Sequence, residues 1–432
     1  MKLNYTFLFV IPLASIFLLD NMFMELAAPH NVDQQGAIFN IFMKGLAGIA
    51  FLYSAIHFQR MSPPMRFAFF VTTCYVFGLV FESYYKYNSF FIYPHVFLKV
   101  LIFYFSFFTY TFYKGNYYLK FSHIVYFILI GFWLNVLIVN PSALSLSSFT
   151  QHERGVHSTS VYMLVIPFLY FVTEYFTKPR LYSLGMAFFV LLSIFFFQHR
   201  TVWISTAVVL VIYYLLFRFK TETPITLGKI LPIATIILGG AIASSAFIFS
   251  MHPEVIVKIM DNFSDIENFD KQGTGSWRYI QWMSYLPFIK ENLFLGMRFE
   301  GFELPIQFYR DDIDKPVFED GHGHFFHSFY VDVLFYIGLM GLFLYLLQAV
   351  YGIWRGLRMP MLTNNQIMLL SFVLSGFVFG ISYILPPFFY GVLGWAIVAL
   401  EEEHNERTSY LLAFVRRRKA TLQAIKQRLI SH

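Results

Sequence analysis

The 432-residue chain is 57% hydrophobic and 21% aromatic but only 13% charged, whereas water-facing domains carry roughly a quarter charged residues. That balance excludes an ordinary soluble globular domain and makes the bilayer the expected solvent. The lone cysteine, Cys74, excludes an intramolecular disulfide and a cysteine-based zinc site.

The expected fold class is all-α, a polytopic membrane helical bundle of about twelve transmembrane helices. Stretches 121–151, 230–251 and 359–400 contain no Asp, Glu, Lys or Arg, and roughly 20 apolar residues suffice to cross hydrocarbon. A closed barrel would alternate apolar and polar residues over segments of about 10. Phe195-Phe196-Phe197 and the apolar run 207–216 do not alternate.

In chain order the predicted spans are 4–20, 37–58, 66–84, 95–113, 121–140, 160–176, 181–198, 201–217, 230–250, 327–350, 364–384 and 386–400. The first reads as a retained helix rather than a signal peptide, because Lys2 is the only basic residue in 1–19 and 21–28 offers no convincing cleavage site. The last two are parted at Pro386-Pro387, where helical hydrogen bonding fails. The chain therefore divides into spans 1–9 (1–250), an extracytoplasmic cap (251–326), spans 10–12 (327–400) and a basic tail (401–432).

Positively charged loops stay cytoplasmic. With the amino terminus inside, 19 of the 31 basic residues fall on that face, among them Arg60, Arg66, Lys114, Lys178, Arg180, Lys220 and Arg358. Both termini are thus expected to be cytoplasmic. The tail run Arg416-Arg417-Arg418-Lys419 directly follows a helix, which suits anionic membrane headgroups better than nucleic acid. The cap departs from this pattern, with 13 acidic residues against 7 basic. Its aromatic content argues for a folded element, and the phrase Trp277 to Met283 suggests an amphipathic helix. Lys44, Glu82, Lys86, Lys99, Glu174 and Asp332 lie in or near spans, where ionisable groups face the bundle interior and usually pair.

Three features could carry chemistry. His199-Arg200 stands where the seventh span must turn into the eighth, and an arginine there faces protein, water or an anionic ligand, or else snorkels to headgroups. Arg278, in Gly275-Ser276-Trp277-Arg278-Tyr279, has the planar fork that suits phosphate, although Asp261, Asp265, Glu267 or Asp270 could equally be its partner. Arg298 has the same ambiguity, with Glu300 close in sequence. The third feature is Gly321-His322-Gly323-His324-Phe325-Phe326-His327-Ser328. A histidine at the outer boundary could take a proton from a sugar hydroxyl, or merely anchor the helix. His322, His324 and His327 with Asp320 supply enough donors for zinc, but their spacing is not diagnostic of it.

Arg200 before an apolar span, Ser276-Trp277-Arg278-Tyr279-Ile280-Gln281-Trp282, Glu291-Asn292-Leu293-Phe294-Leu295-Gly296, and His327-Ser328-Phe329-Tyr330-Val331-Asp332 leading into Gly338-Leu339-Met340-Gly341 occur in that order. Together they resemble the O-antigen ligase and O-antigen polymerase superfamily of bacterial membrane glycosyltransferases, over roughly 185–350. The sequence departs from that family at Ser328, where asparagine is common, and at His199-Arg200-Thr201, where Ser-Arg-Gly is frequent. The resemblance implies transfer of a glycan from an undecaprenyl-diphosphate carrier to a glycan or lipid A-core hydroxyl, on the outer face of the inner membrane, with no metal or other cofactor. In that chemistry Arg200 and Arg278 would stabilise the diphosphate leaving group, and His327 would accept the hydroxyl proton in an inverting displacement. Arg298 and His324 are secondary candidates. Ligase and polymerase share these residues; a polysaccharide or lipid-linked sugar exporter is the alternative class, and would place polar residues through the membrane midplane.

Overall fold

A computed structural model describes residues 5–115, 119–145, 155–221, 273–303 and 324–403, with residues 235, 260, 309–310 and 315–316. The predicted ninth span, much of the cap (including Asp261, Asp265, Glu267, Asp270, Asp320 and His322) and the tail beyond 403 lie outside these residues. The described chain is helical apart from a two-residue antiparallel pairing of Tyr309–Arg310 with Lys315–Pro316.

Among the described residues eight helices are long and apolar enough to cross a membrane, or nine if one bent pair counts as a span. The protein is a multi-pass membrane protein, and the expected twelve spans are not reached within the described residues. In chain order the helices are α1 (Ile11–Phe17), α2 (Asn21–Ala27), α3 (Val32–Ile56), α4 (Pro63–Tyr87), α5 (Pro94–Leu101) and α6 (Tyr104–Tyr113). They continue with α7 (Phe121–Leu134), α8 (Ser158–Met163), α9 (Val165–Thr177), α10 (Leu181–Phe196) and α11 (Arg200–Lys220). The last five are α12 (Gly273–Glu291), α13 (Glu300–Glu303), α14 (Phe329–Arg358), α15 (Asn364–Ser382) and α16 (Pro387–Glu402).

Local chemistry sets the boundaries. Pro63, Pro94 and Pro387 each open a helix, where the missing N–H costs nothing. Thr363 and Gln366 form a reciprocal capping box at the start of α15. The first predicted span, 4–20, ends where the chain bends, and a short helix that the sequence reading did not include follows it: Leu8–Phe17 and Asn21–Ala27 meet at 93°. Buried Asp20 is the cause, because its carboxylate accepts the Met22 N–H at 3.2 Å and caps a new helix.

The core is built around α16 and α6. Every residue from Phe388 to Leu400 is buried, and Thr109 on α6 donates to the Gly391 carbonyl of α16 at 2.9 Å. Helices α11 and α15 pack along each other. They run antiparallel, since Leu362 N donates to Lys220 O at 2.9 Å just ahead of α15. Arg200, at the other end of α11, therefore lies towards the Ser382 end of α15.

The bundle thus has two ends. One gathers 58–63, 110–115, 217–221, 351–363 and 401–403, tied by Tyr110, Lys114 and Tyr351, which all donate to Glu401. The other gathers the α1–α2 bend, the start of α5, Arg200, residues 324–328 and the segment after α15.

Helix α14 is broken at Gly338, whose φ of 61° and ψ of −162° are open essentially only to glycine. Two carbonyls freed by the break, Phe335 and Tyr336, accept from Met297 N and Arg298 N at 2.7 and 3.0 Å. In return Leu339 N and Met340 N donate to Leu293 and Phe294 carbonyls at 2.8 and 3.0 Å. Gly296, also at positive φ, lets the two backbones meet: a Cβ there would stand 2.5 Å from Ile337 N. Irregular backbone at membrane depth requires such internal satisfaction.

Candidate functional site

The histidine segment is held by its buried member. His324 is fully buried, with Nδ1 2.5 Å from the Tyr285 hydroxyl of α12. Its backbone N–H donates to the Tyr336 hydroxyl at 2.8 Å, and that hydroxyl donates to the His324 carbonyl at 2.9 Å. Gln281 Nε2 on α12 donates to the Phe325 carbonyl at 3.0 Å, and the rings of Tyr285, Phe326 and Phe335 pack edge to face or tilted around this tie. Helix α12 is thereby fixed to the start of α14 by two side-chain hydrogen bonds and an aromatic cluster.

That fixation determines where Arg278 stands, one turn before Gln281 on α12. Its guanidinium lies 4.9 Å over the Tyr383 ring, in the turn after α15, within cation–π range. Its buried Nε has no hydrogen-bond partner among the described residues. The side chain thus places a permanent positive charge against the Tyr383 ring at this end of the bundle. The four acids weighed as its partners, Asp261, Asp265, Glu267 and Asp270, lie outside the described residues.

His327 is exposed and belongs to the same locality. Partial desolvation, and then the Arg278 charge, lower its pKa below the ordinary histidine value, so the neutral, proton-accepting form persists to lower pH than in a free imidazole. Ser328 precedes α14 without a side-chain cap and donates instead to the Gly380 carbonyl of α15 at 3.4 Å, and Tyr330 donates to the Phe377 carbonyl at 2.8 Å. The end of α15 thus carries Tyr383 on one side and the histidine segment on the other.

Arg200 is the first residue of α11 and is half-buried. The turn before it contains Gln198 at φ 53° and buried His199, whose Nε2 stands 2.8 Å from the Val156 carbonyl. The structure brings Arg278 and His327 together and puts Arg200 at the same end of the bundle, on the helix flanking α15.

The secondary candidates are tied into the scaffold. Arg298 forms an ion pair with Glu82 of α4, Nε 2.8 Å from a carboxylate oxygen, and not with Glu300, the acid nearest in sequence; Glu300 pairs with Lys86 at 2.9 Å. His324 is the structural anchor just described. Lys99 lies 2.6 and 2.7 Å from the two oxygens of buried Asp332, so these intramembrane charges are paired. Among the described residues no group of three or more His, Cys, Asp or Glu is placed to hold a metal.

Sequence reasoning missed Tyr383. Its signal was position: it ends a span in Tyr383-Ile384-Leu385-Pro386-Pro387, a stretch two prolines keep non-helical. A cavity of about 280 Å³ opens beside it, lined by Ile384 to Pro387, Phe329, Lys99 and Asp332.

A family model described as O-antigen ligase matches residues 185–346, a stretch that contains Arg200, Arg278, Arg298, His324 and His327. No curated protein matches the chain.

Proposed function

From the premise that residues 185–346 belong to the O-antigen ligase family, we propose that this membrane glycosyltransferase moves a glycan from undecaprenyl diphosphate to an acceptor hydroxyl. The reaction takes place at the end of the bundle that carries His327. Positively charged loops gather at the opposite end, which by the positive-inside rule is cytoplasmic, so the site faces outward from the inner membrane and both termini face inward.

The observation that carries the reading is the Arg278 guanidinium, stacked on Tyr383 beside His327 with one donor unspent. Rupture of the bond from the anomeric carbon to the phosphate oxygen leaves its electron pair, and a growing negative charge, on the diphosphate. A fixed cation where that charge forms lowers the barrier more than it stabilises the resting donor. The acceptor oxygen attacks the anomeric carbon from the opposite face, and its proton passes to the neutral imidazole of His327. One displacement of this kind inverts the anomeric centre. Arg200, at the same end of the bundle, serves as a second cation for the diphosphate.

The test is transfer by the purified chain from a lipid-diphosphate glycan. His327→Ala is expected to lower the rate by roughly 10²–10⁴-fold and Arg278→Ala by roughly 10²–10³-fold, with unchanged membrane insertion. Full activity in either variant overturns the assignment. Lengthened carrier-linked chains with donor alone identify a polymerase, and product only after addition of lipid A-core identifies a ligase, the reading we favour.

A further inference from the structure

A second cleft, about 520 Å³, lies at the same end of the bundle, between the α1–α2 bend, the first half of α3 and the segment after α7. Its lining mixes polar side chains with the apolar Met24, Val32, Phe39 and Val139. Glu25, Gln35, Asn40, Asn140 and His157 present amide, carboxylate and imidazole groups around the ring of Phe39, with no lysine or arginine among the lining residues.

The polar groups are held in place. Glu25 Oε2 accepts from Asn135 Nδ2 at 2.7 Å and from Asn140 Nδ2 at 2.9 Å. Its other oxygen lies 3.2 Å from His157 Nε2, and this contact, which precedes the opposing effect of burial, raises the histidine pKa. Asn135 also donates to the Met22 carbonyl at 3.0 Å, fixing the turn after α7 to α2. Such fixed polar groups beside an aromatic face form a pre-organised binding surface.

The ligand class follows from charge and shape. A phosphate would find no permanent cation in this lining and would meet the Glu25 carboxylate. Sugar hydroxyls, each donor and acceptor at once, match amide and carboxylate groups, and the apolar face of a pyranose suits a ring such as Phe39. The cleft also adjoins the reaction site: Asn21 and Phe39 line both it and the 280 Å³ cavity, which is bounded by Phe329, two residues beyond His327.

We propose that this cleft binds an uncharged portion of the acceptor oligosaccharide, holding it while its terminal hydroxyl reaches His327. The proposal rests on the transferase reading and assigns that reaction a second recognition site. Gly36 lines the cleft on α3, and a Cβ there meets nothing within 4 Å. A side chain added at this position therefore starts from open space at the cleft, and a tryptophan is large enough to fill it.

The experiment is equilibrium binding by saturation-transfer NMR on the full-length purified chain. The probe is the oligosaccharide freed by mild acid from the host's surface glycolipid, and transfer is measured in parallel. Gly36→Trp is expected to abolish binding, Asn40→Ala to weaken it about tenfold through loss of a hydrogen-bonding side chain, and His327→Ala to bind as the unaltered chain does while failing to transfer. Inorganic pyrophosphate is expected not to compete. Should Gly36→Trp fail to fold, Asn40→Ala decides. Absence of oligosaccharide binding to the unaltered chain, unchanged binding in the cleft variants, or displacement by pyrophosphate overturns the proposal. Active transfer with unaffected cleft variants refutes the cleft alone, whereas oligosaccharide binding that the cleft variants lose, with no transfer from any donor, refutes the reaction and leaves the cleft standing.

Discussion

The two ends of the bundle use charge in opposite ways. At the basic end, Glu401 is nearly buried and is met by Lys114 at 2.5 Å and by the hydroxyls of Tyr110 and Tyr351, while Lys220 donates to the Leu357 and Met359 carbonyls at 2.7 and 2.8 Å. At the histidine end, Arg278 keeps a donor unspent, His327 is exposed, and the two cavities open. A satisfied network fixes a structure. The histidine end also holds paired charges, Lys99 with Asp332 and Arg298 with Glu82, but it adds an arginine stacked on Tyr383 near an exposed histidine whose pKa it lowers.

Substitutions at each end sharpen the contrast, and the largest effect belongs to the backbone that frames the histidine end. A Cβ at Gly338 would lie 2.5 Å from Gly296 N and 2.6 Å from the Phe294 carbonyl oxygen, on a conformation that costs other residues about 1–3 kcal/mol even without a clash. Gly338→Ala is expected to leave little folded protein in detergent extracts, measured by size-exclusion chromatography; a monodisperse, active variant would show that the interlocked backbones do not frame the site. At the basic end, Glu401→Ala removes the shared acceptor of three donors, of which Lys114 keeps Glu402 at 3.3 Å, and is expected to cost roughly 2–3 kcal/mol. It should lower the melting temperature while turnover per folded molecule is unchanged, and a turnover loss at full stability would erase the distinction between the ends.

The smallest effect is a pH shift. With its pKa lowered, His327 remains a base below the usual histidine range, so the acidic limb of kcat/KM is expected below pH about 6.5. Removing the Arg278 charge makes the imidazolium easier to form, so Arg278→Gln should move that limb to higher pH in its residual activity. Because desolvation is the larger cause, the limb should return only part of the way. An unmoved limb would separate the two residues electrostatically.

Much of the helical architecture was legible because hydropathy reports burial in lipid directly: the spans expected at 37–58, 66–84 and 364–384 are Val32–Ile56, Pro63–Tyr87 and Asn364–Ser382. The break at Pro386-Pro387 was legible for the same local reason. The end of the first span near Asp20 was legible too, but the short helix Asn21–Ala27 that Asp20 caps was not, since seven residues are too few for hydropathy to mark as a span. The expected pairing of intramembrane charges is seen at Lys99–Asp332, yet Arg298 selects Glu82 over its sequence neighbour Glu300. The blocks around Gly296 and Gly338 stood out only as parts of a resemblance, because their exchange of four backbone hydrogen bonds joins segments some 40 residues apart. Tyr383 beneath Arg278 and the cleft around Glu25 depend on helix packing that no local pattern encodes.

Whether His327 and Arg278 act on one reaction is decided by a double-mutant cycle on transfer rate. If proton removal and leaving-group stabilisation belong to the same displacement, His327→Ala combined with Arg278→Gln should be scarcely slower than the worse single variant. Rate losses that multiply in full in the double variant would show that the two side chains act independently and would contradict the account.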